Sequence, residues 1–250
     1  MTGQMTGHRS IMTVDAGNTA VKVAVFEDEH MVHSVTGKVN VSEAMDAVLA
    51  YNSVDGICYC CVGHEDPDLS VYLAATGLPF VRLDADTPVP IAVEYDSRAT
   101  LGVDRLAAAV GVSVERAALV VDAGTAVTSD LVVARRFIGG NISPGLRLRF
   151  RSLNAFTSRL PLVGPEGELP LFGHDTVTAI RSGVVRGLVG ELVSVYESSR
   201  RVYDNIIMIL TGGDASVLYP LLEEAGVDVV ADPEIVGRGL VRIFNYNDKI

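Results

Sequence analysis

The stretch IMTVDAGNTAVKVAVF, residues 11–26, decides the fold of the first half of this chain. Two apolar runs flank Asp-Ala-Gly and a threonine, a pattern typical of two β-strands joined by a tight turn. Gly17 stands where a larger side chain would obstruct that turn. A similar pattern, ALVVDAGTAVTSDLVV, recurs at residues 118–133. The two patterns lie about a hundred residues apart, which is too far for a solenoid repeat. The pair therefore predicts two related halves, each opening with a hairpin.

Helical and strand patterns alternate around the two hairpins. This alternation predicts an α/β fold with mixed sheets covered by helices, divided into domains 1–115 and 116–250. The expected helices are residues 41–53, 68–77, 101–115 (entered through Gly102), 146 to just before Pro161, 176–200, and a short helix after Asp214; the expected strands are GICYCCVG at 56–63, PFVRLD at 79–84, NIIMIL at 205–210 and VDVVAD at 227–232.

Composition and charge exclude several classes of protein. The chain has 250 residues, a formal net charge of −11 and no apolar run near the ~20 residues of a membrane helix. A nucleic-acid binder usually carries a basic face, so the acidic balance argues against that role. We therefore expect a cytoplasmic protein without nucleic-acid or membrane partners. The polar residues before Ser10 are expected to be unordered.

The three cysteines lie together in the predicted strand that contains Cys58, Cys60 and Cys61. A metal or redox site is one interpretation, but no second Cys/His cluster completes a tetrahedral set. The segment alternates like a buried strand, which favours reduced core cysteines. The five histidines show no ligand spacing, and none is assigned to chemistry.

The first hairpin has the composition of a phosphate-binding turn. Small residues let backbone N–H groups approach phosphate oxygens, Asn18 and Thr19 add side-chain donors, and Lys22 adds a positive charge. Asp15 would repel phosphate, so its expected task is to hold Mg²⁺ beside the transferring phosphoryl group. The alternative is an ordinary hairpin with an Asx-type turn.

The second hairpin repeats these residue types. Asp122 supplies a carboxylate for a cation and Thr125 a hydroxyl for ATP phosphates. Two such turns in one chain are expected to close on one triphosphate. A further turn, Thr211-Gly212-Gly213-Asp214, lies between a predicted strand and helix and suits an adenosine contact, although most such turns are structural.

Two groups of charged residues suggest anion binding. In Gly102-Val103-Asp104-Arg105, Arg105 could grip a substrate carboxylate and Asp104 could accept a hydroxyl proton. A solvated ion pair or helix cap is an equal alternative. Arg147, Arg149 and Arg151 look like an anion site, but spacing of two on a helix points them in different directions. We expect these arginines to be solvated or at an interface.

The motifs together give the chain a resemblance to the type III pantothenate kinases over nearly its full length. The matching segments, in family order, are DAGNTAVK, Tyr95 followed by LGVDR, VVDAGTAVT, GGNISPG with FTSRLP, GHDTVTAIRSG, and LTGGDAS. The resemblance implies the acetate and sugar kinase, Hsp70 and actin superfamily fold, with duplicated actin-like (ribonuclease H-like) domains. It also implies transfer of the ATP γ-phosphate to the primary hydroxyl of pantothenate, the first step of coenzyme A synthesis.

The resemblance also implies roles for individual residues. Asp104 matches the proton acceptor, Asp122 a ligand of K⁺ or NH4⁺, and Thr125 a further ATP contact. The implied ATP phosphate loop comprises Asp15, Ala16, Gly17, Asn18, Thr19, Ala20, Val21 and Lys22, and the implied pantothenate site comprises Tyr95, Gly102, Val103, Asp104, Arg105 and Thr176. The family is homodimeric, which suggests an interface near GGNISPG. Ser97 and Arg98 depart from the Asn-Pro common in relatives, so the approach to Tyr95 is expected to differ slightly.

Other functions on the same fold stay open at this point. A kinase for another hydroxylated small acid, or a phosphatase, would use the same scaffold. A nucleotide-responsive regulatory protein without catalysis is a third alternative. Such a regulator is expected to lose Asp15, Asp104 or Asp122, and the chain keeps all three.

Overall fold

The computed structural model describes residues 9–62 and 68–249, so residues 1–8 of the polar extension lie outside it. The chain divides into two compact units. Unit 1 comprises the described residues up to Ser113, the segment Arg135–Phe137 and the C-terminal segment from Glu234; unit 2 comprises Val114–Ala134 and Ile138–Pro233. The chain first passes from unit 1 to unit 2 after Ser113, close to the predicted boundary at 115/116. The C-terminal segment, which the prediction places in the second domain, groups with unit 1.

Strands and helices alternate along the chain. The elements are β1 (Ser10–Ala16), β2 (Val21–Glu27), β3 (His30–Gly37), α1 (Val41–Leu49), β4 (Gly56–Cys61), α2 (Leu69–Ala75), β5 (Phe80–Arg82), β6 (Ala92–Val93), a 3-10 turn (Arg98–Thr100), α3 (Val103–Gly111), β7 (Ala118–Ala123), β8 (Ala126–Val133), β9 (Arg136–Pro144), α4 (Leu146–Ala155), α5 (Thr176–Arg200), β10 (Ile207–Thr211), α6 (Ala215–Glu224), β11 (Val229–Ala231) and α7 (Ile235–Asn247). The predicted hairpins are confirmed, whereas β3, β6, β9 and α7 are additions. Within the described residues, no helix combines the length and apolarity that crossing a membrane requires.

The two units share one strand order. Unit 1 has the order β3-β2-β1-β4-β5, and unit 2 has β9-β8-β7-β10-β11. In each unit the first strand runs antiparallel to its hairpin partner and parallel to the strand on its other side. β6 pairs in parallel with Arg136 and Phe137 at the start of β9, residues that group with unit 1. The repeated topology confirms the predicted α/β fold with mixed sheets.

Alternation along β1 places Met12 and Val14 on one face of the sheet and Thr13 and Asp15 on the other. Met12 and Val14 pack into a core with residues of α1 and α2, such as Met45. Successive strand residues point to opposite faces, so Thr13 and Asp15 project from the other side. On that side Gly56 and Gly237 leave room for the rings of Phe244 and Phe26, respectively. Helix α7 therefore covers the face that carries Asp15.

Helix α7 packs closely on α3 because small residues line the crossing. A side chain at Gly111 would collide with the carbonyl of Ile235, and one at Gly239 with the carbonyl of Ala107. Arg242 adds a polar clamp: it donates to both carboxylate oxygens of Glu29, at 2.8 and 2.7 Å, and to the carbonyls of Val110 and Val112, both at 2.9 Å. These contacts tie the C-terminal helix to the element that carries Asp104.

Unit 2 repeats the same division of faces. Leu119 and Val121 of β7 belong to a core completed by α5 and α6, with Leu188 and Leu218 as central members. By the same alternation, Asp122 projects from the opposite face of the sheet. In each unit the aspartate of the Asp-Ala-Gly turn, Asp15 or Asp122, therefore lies on the sheet face opposite the core described for that unit.

Candidate active site

The first hairpin closes through its backbone. The N–H of Gly17 donates to the carbonyl of Ala20 at 3.1 Å, and Ala16 faces Val21 as the last strand pair. Asn18 and Thr19 are exposed at the tip. The turn therefore presents small residues and polar side chains together, as the phosphate-loop prediction requires.

Asp15 lies just before this turn, with a neighbouring strand on each side. Lys22 faces it on β2, and Cys60 faces it on β4. Burial, reinforced by the negative charge of Asp104, raises the pKa of Asp15 to about 6; a hydrogen bond from Cys60 and the charge of Lys22 act in the opposite direction. A carboxylate with this environment is poised to bind a cation, which would relieve the cost of its charge.

Asp104 stands in the first turn of α3. The helix begins after Gly102, as predicted, and the Asp104 carboxylate accepts from the backbone N–H of Arg105 at 2.8 Å. Its charge acts on both Asp15 and Cys60. The structure therefore brings the two acids of unit 1, which lie far apart in sequence, into one electrostatic neighbourhood.

Arg105 is held between aromatic rings. Its side chain is buried, and its guanidinium carbon lies 5.7 Å from the ring centres of both Tyr95 and Phe137. The two rings meet edge to face at 5.9 Å. A solvated ion pair, one of the alternatives from the sequence, is therefore excluded for Arg105. The cage orients a planar cation that can bind a carboxylate bidentately.

Phe137 and Cys60 are the neighbours that sequence reasoning did not find. Phe137 arrives from a strand that follows the second hairpin, and no local pattern links it to Arg105. Cys60 is buried, as predicted, and its thiol additionally donates to a carboxylate oxygen of Asp15 at 3.6 Å. Burial, together with the negative charge of Asp15, raises the pKa of this thiol well above its usual range.

The second hairpin, in unit 2, closes like the first. The N–H of Gly124 donates to the carbonyl of Ala126 at 3.1 Å, and Thr125 is exposed at the tip. Asp122 faces Thr128 on β8 and Thr211 on β10. The carbonyl of Thr125 accepts from the N–H of Gly145 at 3.0 Å, which fixes the turn against the start of α4.

The Gly212-Gly213 turn and the second hairpin form one structure. Gly212 has a φ of +93°, and a side chain there would collide with the carboxylate of Asp122 and the backbone of Ala123. The N–H of Asp214 donates to the carbonyl of Ala123 at 2.9 Å. Gly213 has no atom near the position of an added side chain. The two glycines of this motif therefore have different roles.

Replacing Gly212 with alanine is expected to destabilise the protein by about 2–3 kcal/mol, because positive φ and the collision with Asp122 act together. The apparent KM for ATP should rise, since Asp122 and Thr125 are displaced. Gly213→Ala is the matched control and should change both quantities little. Urea unfolding and steady-state kinetics check this; equal effects of the two substitutions would contradict it.

The remaining predicted residues belong to unit 2. Thr176 is the first residue of α5 in unit 2, directly after the Asp175 cap, and is exposed. Arg149 donates to Glu191 at 2.6 Å, whereas Arg147 lies 4.0 Å from Asp214. These arginines point to different partners, as the helical spacing predicts.

The oxygen donors of the two hairpins fit hard cations. Among residues 9–62 and 68–249 no group of three or more His, Cys, Asp or Glu side chains could hold a metal. A single carboxylate such as Asp15 holds Mg²⁺ only together with other oxygen ligands, such as phosphate and water. Asp122 is a carboxylate that faces Thr128 and Thr211 in the sheet, and such oxygen ligands suit K⁺ or a similar hard cation better than a zinc-type ion.

Solved structures with the same fold support this architecture. A Baf family protein from Campylobacter jejuni aligns with a TM-score of 0.64 at 22% identity, over 96% of this chain and all (100%) of that one. A ROK hexokinase from Thermus thermophilus aligns with a TM-score of 0.53 at 15% identity, over 94% and 98%. At these identities the alignments bear on the fold alone.

Sequence comparison is more specific. A type III pantothenate kinase of Porphyromonas gingivalis strain W83 is 38% identical over 246 residues, which is 94% of this chain and 98% of that protein. A type III pantothenate kinase of Phocaeicola vulgatus is 36% identical over 246 residues, 96% and 99% of the two chains. The sequence profile of the type III pantothenate kinases matches residues 11–198. The chain belongs to the type III pantothenate kinase family.

Proposed function

We propose that the protein transfers the γ-phosphoryl group of ATP to the primary hydroxyl of pantothenate, forming 4′-phosphopantothenate in the first step of coenzyme A biosynthesis. The observation that carries this is the family match across residues 11–198. The grouping of Asp15, Asp104 and Arg105 in unit 1 agrees with it. We also propose that the reaction takes place in the cytoplasm.

In this proposal the first hairpin binds the triphosphate. Backbone N–H groups of the turn, the side chains of Asn18 and Thr19, and the charge of Lys22 contact phosphate oxygens. Mg²⁺ enters with ATP as part of the substrate, and Asp15 contributes a carboxylate to it. The role of the Mg²⁺ ion would be to neutralise charge that develops on the transferred phosphoryl group.

The start of α3 receives the acceptor. Arg105, oriented by Tyr95 and Phe137, binds the pantothenate carboxylate. Gly102 and Val103, at the start of the helix, are proposed as further pantothenate contacts. Asp104 accepts the proton of the attacking hydroxyl as the oxygen bonds to phosphorus. Thr176 is proposed as a further pantothenate contact.

The second hairpin has two roles in this proposal. Thr125 contacts a phosphate, and Asp122 holds K⁺ or NH4⁺ beside it. The adenosine lies near the Gly212-Gly213 turn, on the side of Gly213, where no atom lies within 4 Å of the position that a side chain would take.

A coupled ADP-release assay tests the function. ADP should form when pantothenate is present and stay at background when it is absent. Exchanging K⁺ for Na⁺ should slow the reaction. K⁺ is the larger ion, and the free energy needed to remove its water is smaller than for Na⁺ when carbonyl and carboxylate oxygens replace that water. A panel of other hydroxy acids serves as control; ADP release that ignores pantothenate would overturn the proposal.

We also propose that the protein forms a homodimer through unit 2. Large apolar side chains are exposed on α4 and the loop that follows it: Phe156 is 89% exposed, Leu171 69% and Phe172 84%. That loop is held to α5, since Ser182 and Arg186 donate to the carbonyls of Pro170 (2.7 Å) and Leu169 (2.8 Å). A fixed apolar loop loses little entropy when a second copy covers it.

Replacing Phe172 with glutamate is expected to convert the dimer to a monomer, because a charge would be buried in the interface. Light scattering coupled to size exclusion measures the mass directly. Val71→Glu is the control, since Val71 on α2 of unit 1 is 71% exposed. A Phe172→Glu variant that keeps the mass of the wild type would argue against this interface.

A further inference from the structure

Cys60 lies beside the proposed metal-binding acid and is unused by the mechanism above. It is fully buried on β4, in direct register with Asp15 on β1. Its sulfur lies 3.6 Å from one carboxylate oxygen of Asp15 and donates to it. The usual interpretation of a buried thiol is packing alone, but packing does not require this register.

We propose that Cys60 is a positioning residue: its thiol holds one carboxylate oxygen of Asp15, so that the carboxylate is oriented for the Mg²⁺ of ATP. This inference rests on the proposed function, because it assigns Asp15 to Mg-ATP. It adds a residue that acts through Asp15 and does not itself touch the substrate.

A carboxylate needs such a partner because its terminal torsion is soft. The torsion about the bond to the carboxyl group is broad and nearly two-fold, so an aspartate side chain alone leaves its oxygens free to rotate. Residue 60 sits on a strand that is buried along most of its length and paired on both sides, and therefore supplies a rigid donor.

A thiol is suited to this task because it is a neutral donor. A charged donor would compete with the cation for the carboxylate, whereas a neutral donor such as S–H or O–H orients the oxygen and leaves its negative charge available. An ordinary cysteine thiol is protonated at neutral pH, so the donor is present under working conditions. The charged groups acting on Asp15, namely Asp104 and Lys22, leave this assignment of donor and acceptor unchanged.

Cys58 offers a matched control within the same strand. It lies two residues before Cys60, hence on the same face of β4, and is equally inaccessible to solvent. It faces Thr13 on β1 and not Asp15. Replacing either cysteine with alanine removes the same atoms from the same layer, but only the change at residue 60 removes the donor to Asp15.

The test compares Cys60→Ala, Cys58→Ala and Cys60→Ser in the full chain, using steady-state kinetics with ATP, pantothenate and Mg²⁺, and calorimetric titration with Mg-ATP alone, in which the Kd should change in parallel with the KM for Mg-ATP. Cys60→Ala should raise the apparent KM for Mg-ATP by about 5- to 10-fold, since one weak hydrogen bond to a charged group is lost. The KM for pantothenate should stay within about twofold, because Arg105 is unaffected. Cys60→Ser restores a donor and should recover most of the loss. Cys58→Ala should lower the melting temperature about as much as Cys60→Ala does, and should leave the KM values for Mg-ATP and pantothenate near those of the wild type.

Two results would overturn the inference: kinetics of Cys60→Ala equal to those of Cys58→Ala, or a Cys60→Ser variant as impaired as Cys60→Ala. If Cys60→Ala does not fold, Cys60→Val replaces it as the variant without a donor. Failure of the proposed function looks different, because the wild type would then release no pantothenate-dependent ADP. An active Asp15→Asn variant would likewise show that Asp15 itself has no role.

Discussion

Replacing Asp104 with asparagine is expected to lower kcat by about 10²–10⁴-fold, the usual contribution of a positioned general base. An amide cannot accept the proton of the pantothenate hydroxyl. Binding of ATP should survive, because the proposed phosphate loop lies on another element. The fold should survive as well, since an asparagine oxygen can still accept from the N–H of Arg105, as the Asp104 carboxylate does at 2.8 Å.

Single-turnover kinetics with rapid quenching, combined with ATP titration by calorimetry, measures the two effects separately. Asp96→Asn is the control, because Asp96 is an exposed acid of the same unit and has no proposed role. A kcat for Asp104→Asn within a few-fold of the wild type would remove Asp104 as the base. It would leave the family assignment intact.

Replacing Asp15 with asparagine is expected to abolish most activity and to stabilise the ligand-free protein at the same time. Activity falls because an amide is a poor substitute for a carboxylate in holding Mg²⁺. Stability rises because the native protein buries an ionised group at a cost, shown by a pKa raised from 3.8 to about 6. At neutral pH this difference corresponds to ~3 kcal/mol.

The gain in stability of Asp15→Asn over the wild type depends on pH with a definite sign. The folded pKa of Asp15 lies above the unfolded value, so the folded protein binds the proton more tightly. The wild type therefore loses stability as the pH rises from about 3.8 to about 6, and the full penalty is present above that range. Asparagine does not titrate, so the advantage of the variant should be largest at pH 7–8 and vanish below about pH 4.

Urea unfolding of wild type and Asp15→Asn at pH 8 and pH 4, without nucleotide or Mg²⁺, checks this prediction. Equal stability at both pH values would show that the ionised Asp15 carries no penalty. Addition of Mg-ATP should reverse the order at pH 8, because only the wild type gains the full binding free energy. Activity of the variant near that of the wild type would contradict the proposed role of Asp15.

The sequence by itself determined the elements that depend on local pattern. Both Asp-Ala-Gly hairpins could be predicted, because strand periodicity and small turn residues lie within a few positions of each other. The start of α3 after Gly102 could be predicted for the same reason. The family assignment from six ordered motifs also needs no coordinates, and it is confirmed by the family profile over residues 11–198 and by relatives that cover most of the chain.

Only the tertiary structure decided which distant residues meet. The contact of Cys60 with Asp15 depends on the register of β4 against β1, and the ring of Phe137 reaches Arg105 only because the start of β9 pairs with β6. Gly212 is required by the carboxylate of Asp122, which lies far from it in sequence. Such contacts follow from strand pairing and helix packing over the whole chain, and a local pattern carries no information about register between distant segments.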